Sequence, residues 1–201
     1  PPQILDYFAG ELRRIKPRRV FEPFAGNFSI SQVCGEVDKS IEVRSGDVSL
    51  YSSAIGFGLM KDAETEIGLS EECIRRFPAW ASLSSPEDIA AAAILICEYV
   101  AADVHRKNVK YYENYARDIE RRYETYHKEI LEKVRKAKAK LPTNFAFRRI
   151  DAMRVLKHEP EPGDVVFFDP PYYSGDYEKM FKGIDELMTG VETPYTDFTM
   201  P

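Results

Sequence analysis

Cysteine and histidine, the residues that most often build metal centres and disulfide frameworks, are scarce in this sequence. The chain has three of each in 201 residues. Cys34, Cys73 and Cys97 lie far apart, without the paired short spacing that zinc sites use, and no histidine has a convincing ligand partner. We therefore expect no metal centre, and we expect buried, reduced thiols in a cytoplasmic protein.

Long apolar runs are also absent. The most apolar stretch, residues 89–102, is interrupted by Glu98 and is shorter than the roughly 20 residues that a membrane-spanning helix needs. The N-terminus has no charged-then-apolar leader and begins Pro1-Pro2 without an initiator methionine, which suggests a fragment or a processed form. With 44% apolar residues the chain can bury one good core, so we expect a globular domain with no membrane partner.

The formal net charge of −5 argues against a protein that coats nucleic acid indiscriminately, but this average hides a division along the chain. Residues 106–157 carry 16 Lys and Arg against 7 Asp and Glu, a local charge of +9, which leaves −14 for the rest. This asymmetry permits a polyanion partner on one side of the molecule. A solvated helix surface with mixed signs would produce the same count.

The order of predicted elements is typical of an α/β fold. The first part of the chain has a helix at 4–15, a strand at 19–24, a helix from near Ser29, a strand at 41–43 and a helix from about Ser49. The last part has strands at 145–147 and 164–168, a helix at 177–188 and a segment from Thr193 that could begin another strand. The strand at 164–168 is almost wholly apolar, so we expect it to be buried on both faces, as central parallel strands are.

A helical region separates these two parts. Residues 88–102 are rich in Ala and Ile and suit a buried helix, while residues 108–141 contain no Gly or Pro and have an apolar or aromatic residue every three or four positions. This spacing indicates one long amphipathic helix or two stacked pieces, with tyrosines that suit a core better than a nucleic-acid platform. We therefore predict an α/β domain of residues 1–60 and 142–201, and a helical insertion of residues 61–141 for target recognition or dimerisation.

The strongest chemical signal is Phe-Phe-Asp-Pro-Pro-Tyr at 167–172, at the end of a predicted strand. Ligands of open α/β sheets lie beyond the carboxyl ends of the strands. One group that would need hydrogen-bond acceptors at such a place is an exocyclic adenine amine, which is a poor nucleophile because its lone pair is delocalised into the ring. The Asp169 carboxylate and the Pro170 carbonyl could each accept one amine hydrogen and favour a pyramidal nitrogen, while Tyr172 offers a flat face to an extruded base. Asp-Pro-Pro is also a common end to a strand, without any chemistry.

A second signal is the single glycine in the predicted strand-to-helix turn at 21–29. Gly26 would let the backbone approach a ligand, and the amides at the start of the next helix favour a carboxylate. Glu22 could bind an ammonium group, directly or through water. Asp47 follows the second strand, where an acidic residue binds ribose hydroxyls, or else it is an ordinary helix N-cap. Asp151 could accept from an adenine amine, or else it lies in a surface turn.

These segments resemble motifs of the amino-directed DNA adenine methyltransferases, which use S-adenosylmethionine. Glu-Pro-Phe-Ala-Gly-Asn-Phe-Ser at 22–29 looks like their motif I, and Asp-Pro-Pro-Tyr at 169–172 looks like their motif IV, with an inserted recognition region between. The resemblance implies a Rossmann-like methyltransferase sheet. It implies catalytic roles for Asp169, Pro170, Pro171 and Tyr172. It implies cofactor contacts from Glu22, Pro23, Phe24, Ala25, Gly26, Asn27, Asp47, Val48, Asp151, Ala152 and Asp169.

The sequence also departs from this family's pattern. Phe28 stands where a second glycine is frequent, and residues 7–11 lack the lysine that is usual in the family's N-terminal motif. The chain ends about thirty residues after the Asp-Pro-Pro-Tyr motif. We therefore expect a sheet that is incomplete on its C-terminal side.

Together the motifs predict a methyltransferase that acts on the adenine amino group in double-stranded DNA, with the target base flipped out. We expect direct transfer of the methyl group, without a metal or a covalent enzyme intermediate, and a homodimer through the helical insertion is one option. An RNA adenine methyltransferase would use the same turn. A catalytically silent, methyltransferase-like binding or assembly protein, such as a phage antirestriction protein, is the third alternative. A protein-glutamine methyltransferase fits less well, because it would have Asn in place of Asp169.

Overall fold

The computed structural model describes residues 2–105, 109–170, 175–191 and 193–194. The helices are α1 Pro2–Ile15, α2 Ser29–Val37, α3 Leu50–Leu59, α4 Glu71–Arg76, α5 Pro86–His105, α6 Lys110–Lys140, α7 Ala152–His158 and α8 Gly175–Leu187, with a 3-10 helix at Pro78–Ser82. The strands are β1 Arg19–Glu22, β2 Glu42–Asp47, β3 Gly68–Leu69, β4 Asn144–Arg149, β5 Val165–Val166 and β6 Met188–Thr189. The long amphipathic segments of the sequence are therefore all helical, as predicted.

Four parallel strands form the central sheet, in the order β4-β2-β1-β5. Val20 of β1 lies opposite Val43 of β2 on one side and opposite Val165 of β5 on the other. Each of the three crossovers contains at least one helix, as parallel pairing of neighbouring strands requires. The predicted α/β fold class with a Rossmann-like sheet is confirmed.

The strand that precedes Asp169 is shorter and more exposed than the sequence predicts. β5 contains only two residues and pairs with β1 alone among the described strands. Phe167 packs against α1, but Val166 and Phe168, which point to the opposite face, are 37% and 53% exposed. The prediction that residues 164–168 are buried on both faces is wrong, because β5 lies at the edge of the described sheet rather than at its centre.

Each face of the sheet has its own apolar core. On one face α1 and α2 pack against β1 and β2, where Leu12, Val20 and Val43 are almost inaccessible to solvent. The other core is larger and combines Phe147 of β4 with side chains of α3, α5, α6 and α8. α5 and α6 belong to this second core and connect to the sheet through α3. The domain boundary at residues 61–141 stays a prediction.

Helix α5 runs antiparallel to both α3 and α6. α3 begins at the carboxyl edge of the sheet, directly after β2, and Gly58 near its other end lies against the first turns of α5. Lys138 near the end of α6 donates a hydrogen bond to Glu87 at the start of α5 (2.7 Å), and Tyr115 near the start of α6 donates one to Glu98 (2.6 Å). The first turns of α6 therefore lie on the side of the sheet where the strands end.

The long helix α6 is continuous but kinked. Arg122 has φ −128° and ψ 16°, which are not helical values, so the alternatives of one helix or two pieces are each partly right. Its guanidinium group lies 5.2 Å from the ring centroid of Tyr126. Tyr115, Tyr123 and Tyr126 pack against the large core as predicted, whereas Tyr111 is 67% exposed.

Several smaller features lie outside the main sheet and its helices. β3 and β6 form an antiparallel ribbon that the sequence did not predict, and most of the predicted C-terminal strand, residues 195–201, lies outside the described residues. Cys34 and Cys73 are buried, Cys97 is partly buried, and the three thiols are free. Within the described ranges no cluster of His, Cys, Asp and Glu could hold a metal ion, and no helix is long and apolar enough to cross a membrane.

Candidate active site

The turn after β1 and residues 167–170, which follow β5, lie side by side at the carboxyl edge of the sheet. The two strands are parallel neighbours, and the Phe167 amide donates a hydrogen bond to the Phe21 carbonyl (2.8 Å). Farther along, the rings of Phe24 and Phe168 meet edge to face, with centroids 5.2 Å apart. The glycine turn and the segment of residues 167–170 therefore leave the sheet next to each other.

The glycine turn, residues 23–28, is held by the acidic residue at the end of β2. Gly26 has φ +49°, and its amide donates a hydrogen bond to Oδ2 of Asp47 (3.1 Å). Oδ1 of Asp47 accepts from the Ser49 amide (3.0 Å), and Ser49, not Asp47, is the N-cap of α3. Each carboxylate oxygen keeps a further lone pair for a ligand. A Cβ on Gly26 would meet nothing within 4 Å, so the space in front of this glycine is open.

Phe28 has a backbone conformation that glycine adopts easily. It stands where the family that this chain resembles often has a second glycine. Its φ of 59° and ψ of 27° are left-handed, which is uncommon for a bulky residue. Its ring is fully buried and meets Phe145 and Phe147 edge to face, at centroid distances of 6.0 and 5.4 Å. The ring belongs to the core, so this departure from the motif leaves the space in front of Gly26 open.

Replacing Phe28 by glycine should destabilise the fold even though it removes backbone strain. Left-handed backbone costs a non-glycine residue about 1–2 kcal/mol, whereas deleting a buried phenyl ring costs roughly 3–5 kcal/mol. We expect Phe28→Gly to lower the free energy of unfolding by about 2–3 kcal/mol, measured by urea denaturation. Phe28→Ala loses the ring and keeps the strain, so it should be less stable than Phe28→Gly, and the opposite order would contradict the presence of strain at this position.

Glu22 is buried beneath the glycine turn and is only 2% exposed. Its Oε2 accepts hydrogen bonds from the hydroxyl of Ser31 in α2 and from that of Ser45 in β2 (2.9 Å for Ser45). Burial raises the pKa of Glu22 from about 4.5 to about 8, although the two serine hydroxyls and the nearby Ile30 amide lower it. α2 has no side-chain N-cap, and the Glu22 carboxyl contacts its first turn through the Ser31 hydroxyl and the Ile30 amide. Its contact with a cofactor stays a prediction.

Asp151 follows β4 at the same edge and is 5% exposed. Its Oδ1 accepts hydrogen bonds from the amides of Met153 (2.9 Å) and Arg154 (3.2 Å), which makes it the N-cap of α7. The alternative of a surface turn is therefore wrong, because this aspartate begins a helix that the sequence patterns did not predict. Ala152, the first residue of α7, is buried too. The role of both residues toward a cofactor stays a prediction.

Asp169 and Pro170 follow the edge strand β5 after Phe167 and Phe168. Asp169 is exposed and makes no hydrogen bond or ion pair within the described part of the chain. Pro170 is partly buried. A carboxylate without an internal partner can accept hydrogen bonds from a ligand at this edge. Pro171 and Tyr172 lie outside the described residues.

Two further side chains at this edge were not predicted. Arg149, which ends β4 opposite Asp47, donates hydrogen bonds to the carbonyls of Val48 (3.2 Å) and Val191. Tyr51 of α3 donates a hydrogen bond to the side-chain oxygen of Asn27 in the glycine turn. Arg149 and Val48 are 101 positions apart in the chain, so no local sequence pattern could indicate their contact.

Comparison with known families shows the family to which this chain belongs. The sequence model of the family described as Phage DNA Adenine Methylase-like domain 1 matches residues 3–201, which include both turns. No curated protein matches the chain, and no solved structure matches it either. With nearly its whole length matched, the chain belongs to the phage DNA adenine methylase-like domain 1 family.

Proposed function

We propose that this chain is an S-adenosylmethionine-dependent methyltransferase that acts on the exocyclic amino group of adenine in double-stranded DNA. The observation that carries the proposal is the exposed Asp169 carboxylate, unpartnered within the described ranges, beside the open glycine turn of the neighbouring strand. Membership of a phage DNA adenine methylase-like family supports both the reaction class and DNA as the substrate.

The residues at the carboxyl edge fit this cofactor. The open space in front of Gly26 admits a ligand close to the backbone, and the Asp47 carboxylate keeps lone pairs for ribose hydroxyls. The proposed contacts are Pro23, Phe24, Ala25, Gly26, Asn27, Asp47, Val48, Asp151 and Ala152, with Glu22 supporting the turn from below. When bound, S-adenosylmethionine supplies an electrophilic methyl group on a sulfonium sulfur.

Asp169 and Pro170 act on the target adenine, the second reactant. A base must leave the duplex to reach this edge, so the target adenine is flipped out. The Asp169 carboxylate and the Pro170 carbonyl each accept one hydrogen of the amine, which makes the nitrogen lone pair available. Asp169 can also take the proton that the nitrogen loses. Pro171 and Tyr172 complete this proposed turn, with Tyr172 as the surface on which the base stacks.

Calorimetry with S-adenosylmethionine separates this proposal from the catalytically silent alternative. We expect measurable heat of binding, and we expect the cofactor at 100 times its Kd to stabilise the fold by about 2.7 kcal/mol. Neither heat nor a thermal shift in the intact chain would favour a binding or assembly role.

A competition experiment tests whether the substrate is DNA or RNA. Duplex DNA and structured RNA of equal length are added to the same reaction, and incorporation of labelled methyl groups into each is counted. We expect DNA to be methylated and RNA to compete weakly. The opposite preference would favour an RNA adenine methyltransferase.

The N-terminal half of α6 is the surface that we expect to contact DNA phosphates. Lys110 and Arg121 are exposed and have no carboxylate partner among the described residues, and the first turns of α6 lie on the carboxyl-edge side. Two other cations of this helix already have carboxylate partners: Lys138 pairs with Glu87 (2.7 Å) and Arg122 lies 3.6 Å from Asp118. A dimer through α6 stays an alternative prediction for the same face.

Charge reversal tests this surface. We expect Lys110→Glu and Arg121→Glu to weaken DNA binding and to lower the slope of log affinity against log salt by about 1 for each phosphate that is no longer neutralised. Lys136→Glu is the matched control, because Lys136 is an exposed cation near the opposite end of α6. Equal affinities and salt slopes for all three variants and the unmodified chain would rule out this face as a phosphate-binding surface.

A further inference from the structure

Tyr51 makes a hydrogen bond that joins the glycine turn to the next helix of the fold. It lies in the first turn of α3, and its hydroxyl donates to Oδ1 of Asn27. Asn27 is exposed and stands between Gly26 and Phe28, which both have left-handed backbone, with φ of 49° and 59°. The bond therefore holds the exposed residue of the turn, Asn27, between two residues with left-handed backbone.

The fold does not depend on this bond. The base of the turn is already fixed by the Gly26 amide on Asp47 (3.1 Å) and by the Ala25 amide on the Gly46 carbonyl (3.0 Å). The buried ring of Phe28 anchors the far side of the turn in the core. Removing the Tyr51 hydroxyl would leave all of these contacts in place and free only the Asn27 side chain.

Tyr51 is itself held firmly. Its ring packs against the large core, and burial, with the Cys97 thiol and the Glu98 carboxylate nearby, raises the pKa of its hydroxyl. The phenol therefore stays protonated near neutral pH and serves as a fixed donor. Glu98 in turn accepts a hydrogen bond from Tyr115, so Tyr51 stands between the glycine turn and the helical insertion.

We infer that Tyr51 is a positioning residue for the cofactor: by holding Asn27 it keeps residues 26–28 in the conformation that binds S-adenosylmethionine. This inference rests on the proposed function, since the cofactor is part of it. Tyr51 acts through Asn27 and needs no contact of its own with the cofactor. Its effect is on cofactor binding, because the residues that would hold the adenine amine, Asp169 and Pro170, follow another strand, β5.

Tyr51→Phe isolates the hydroxyl and keeps the ring. We expect the Kd and the KM for S-adenosylmethionine to rise about tenfold, with kcat changed by less than about twofold. In the cofactor-free chain, amide hydrogen exchange at Asn27 and Phe28 should become about fivefold faster while global stability is unchanged. Tyr115→Phe is the matched control, since it removes a neighbouring tyrosine hydroxyl and leaves the bond to Asn27 intact.

A double-mutant cycle guards against a purely structural effect. Asn27→Ala changes an exposed residue, so it should fold normally, and it should lose at least as much affinity as Tyr51→Phe because Asn27 is also a proposed cofactor contact. The double variant should lose no more than Asn27→Ala alone, because the Tyr51 hydroxyl acts only through Asn27. Additive losses, or a Tyr51→Phe variant with unchanged affinity and exchange, would overturn the inference and leave the proposed function standing. An unmodified chain that does not bind S-adenosylmethionine would overturn both.

Discussion

Asp169→Ala should reduce methyl transfer to adenine by about 10³-fold, while S-adenosylmethionine still binds with nearly unchanged affinity. Asp169 is exposed at the end of the edge strand and has no internal partner among the described residues, so its removal leaves no buried charge or broken network behind. The variant lacks the acceptor that makes the lone pair of the adenine amine available. Counting labelled methyl groups in DNA measures the rate, and calorimetry measures the cofactor affinity.

Two companion variants make this result specific. Asp169→Asn keeps the size of the side chain and removes one acceptor atom, so it should be almost as inactive as Asp169→Ala. Asp164 lies before the same strand and accepts a hydrogen bond from Arg19 (2.6 Å), so Asp164→Asn should lower stability and leave kcat per folded molecule unchanged. Undiminished transfer by Asp169→Ala would remove Asp169 from the mechanism.

Glu22→Gln should abolish most of a pH dependence in the stability of the fold. Burial raises the pKa of Glu22 to about 8, so between pH 4.5 and 8 the folded chain keeps a proton that the unfolded chain releases. The stability that the folded chain gains by keeping this proton is therefore fully present below pH 4.5 and is lost as the pH rises toward 8. At about 1.4 kcal/mol for each unit of pKa shift, the loss is roughly 3–5 kcal/mol.

Urea denaturation at pH 5.5 and at pH 8.5 measures this effect. The unmodified chain should be less stable at the higher pH, and Glu22→Gln, which has no proton to release, should change by at least about 2 kcal/mol less. Ser45→Ala gives a prediction of opposite sign: it removes a hydrogen bond that lowers the pKa of Glu22, so the loss of stability with pH should become larger. Equal pH dependence in all three proteins would contradict the buried, proton-holding state of Glu22.

The long helices and the parallel pairing of the strands could be predicted because they follow from local patterns. The spacing of apolar residues fixed α1 and α5 to within a few residues, and the alternation of strands and helices indicated parallel pairing. The common edge for Gly26 and Asp169 also follows from this logic, since neighbouring parallel strands end on the same side. These parts of the site needed no tertiary information beyond the fold class.

Features that depend on which side chains meet could not be predicted in this way. An apolar strand looks the same at the centre of a sheet and at its edge, so the exposure of Val166 was missed. The two-residue strands β3 and β6 are too short to show a period. The internal partners of Glu22 and the contact of Tyr51 with Asn27 join segments that only the folded chain brings together. Asp151 is the exception, because an aspartate before an apolar run is a local helix-start signal that could have predicted α7.

The identity of the methylated base is the most direct test of the proposed reaction. The chain is incubated with S-adenosylmethionine and adenine-containing duplex DNA, the DNA is digested to nucleosides, and the products are separated by mass spectrometry. We predict N6-methyl-2′-deoxyadenosine with the unmodified chain and none above background with Asp169→Ala. Methylation of another base, or no methylated adenosine from a chain that binds the cofactor, would contradict adenine-directed methyl transfer at Asp169.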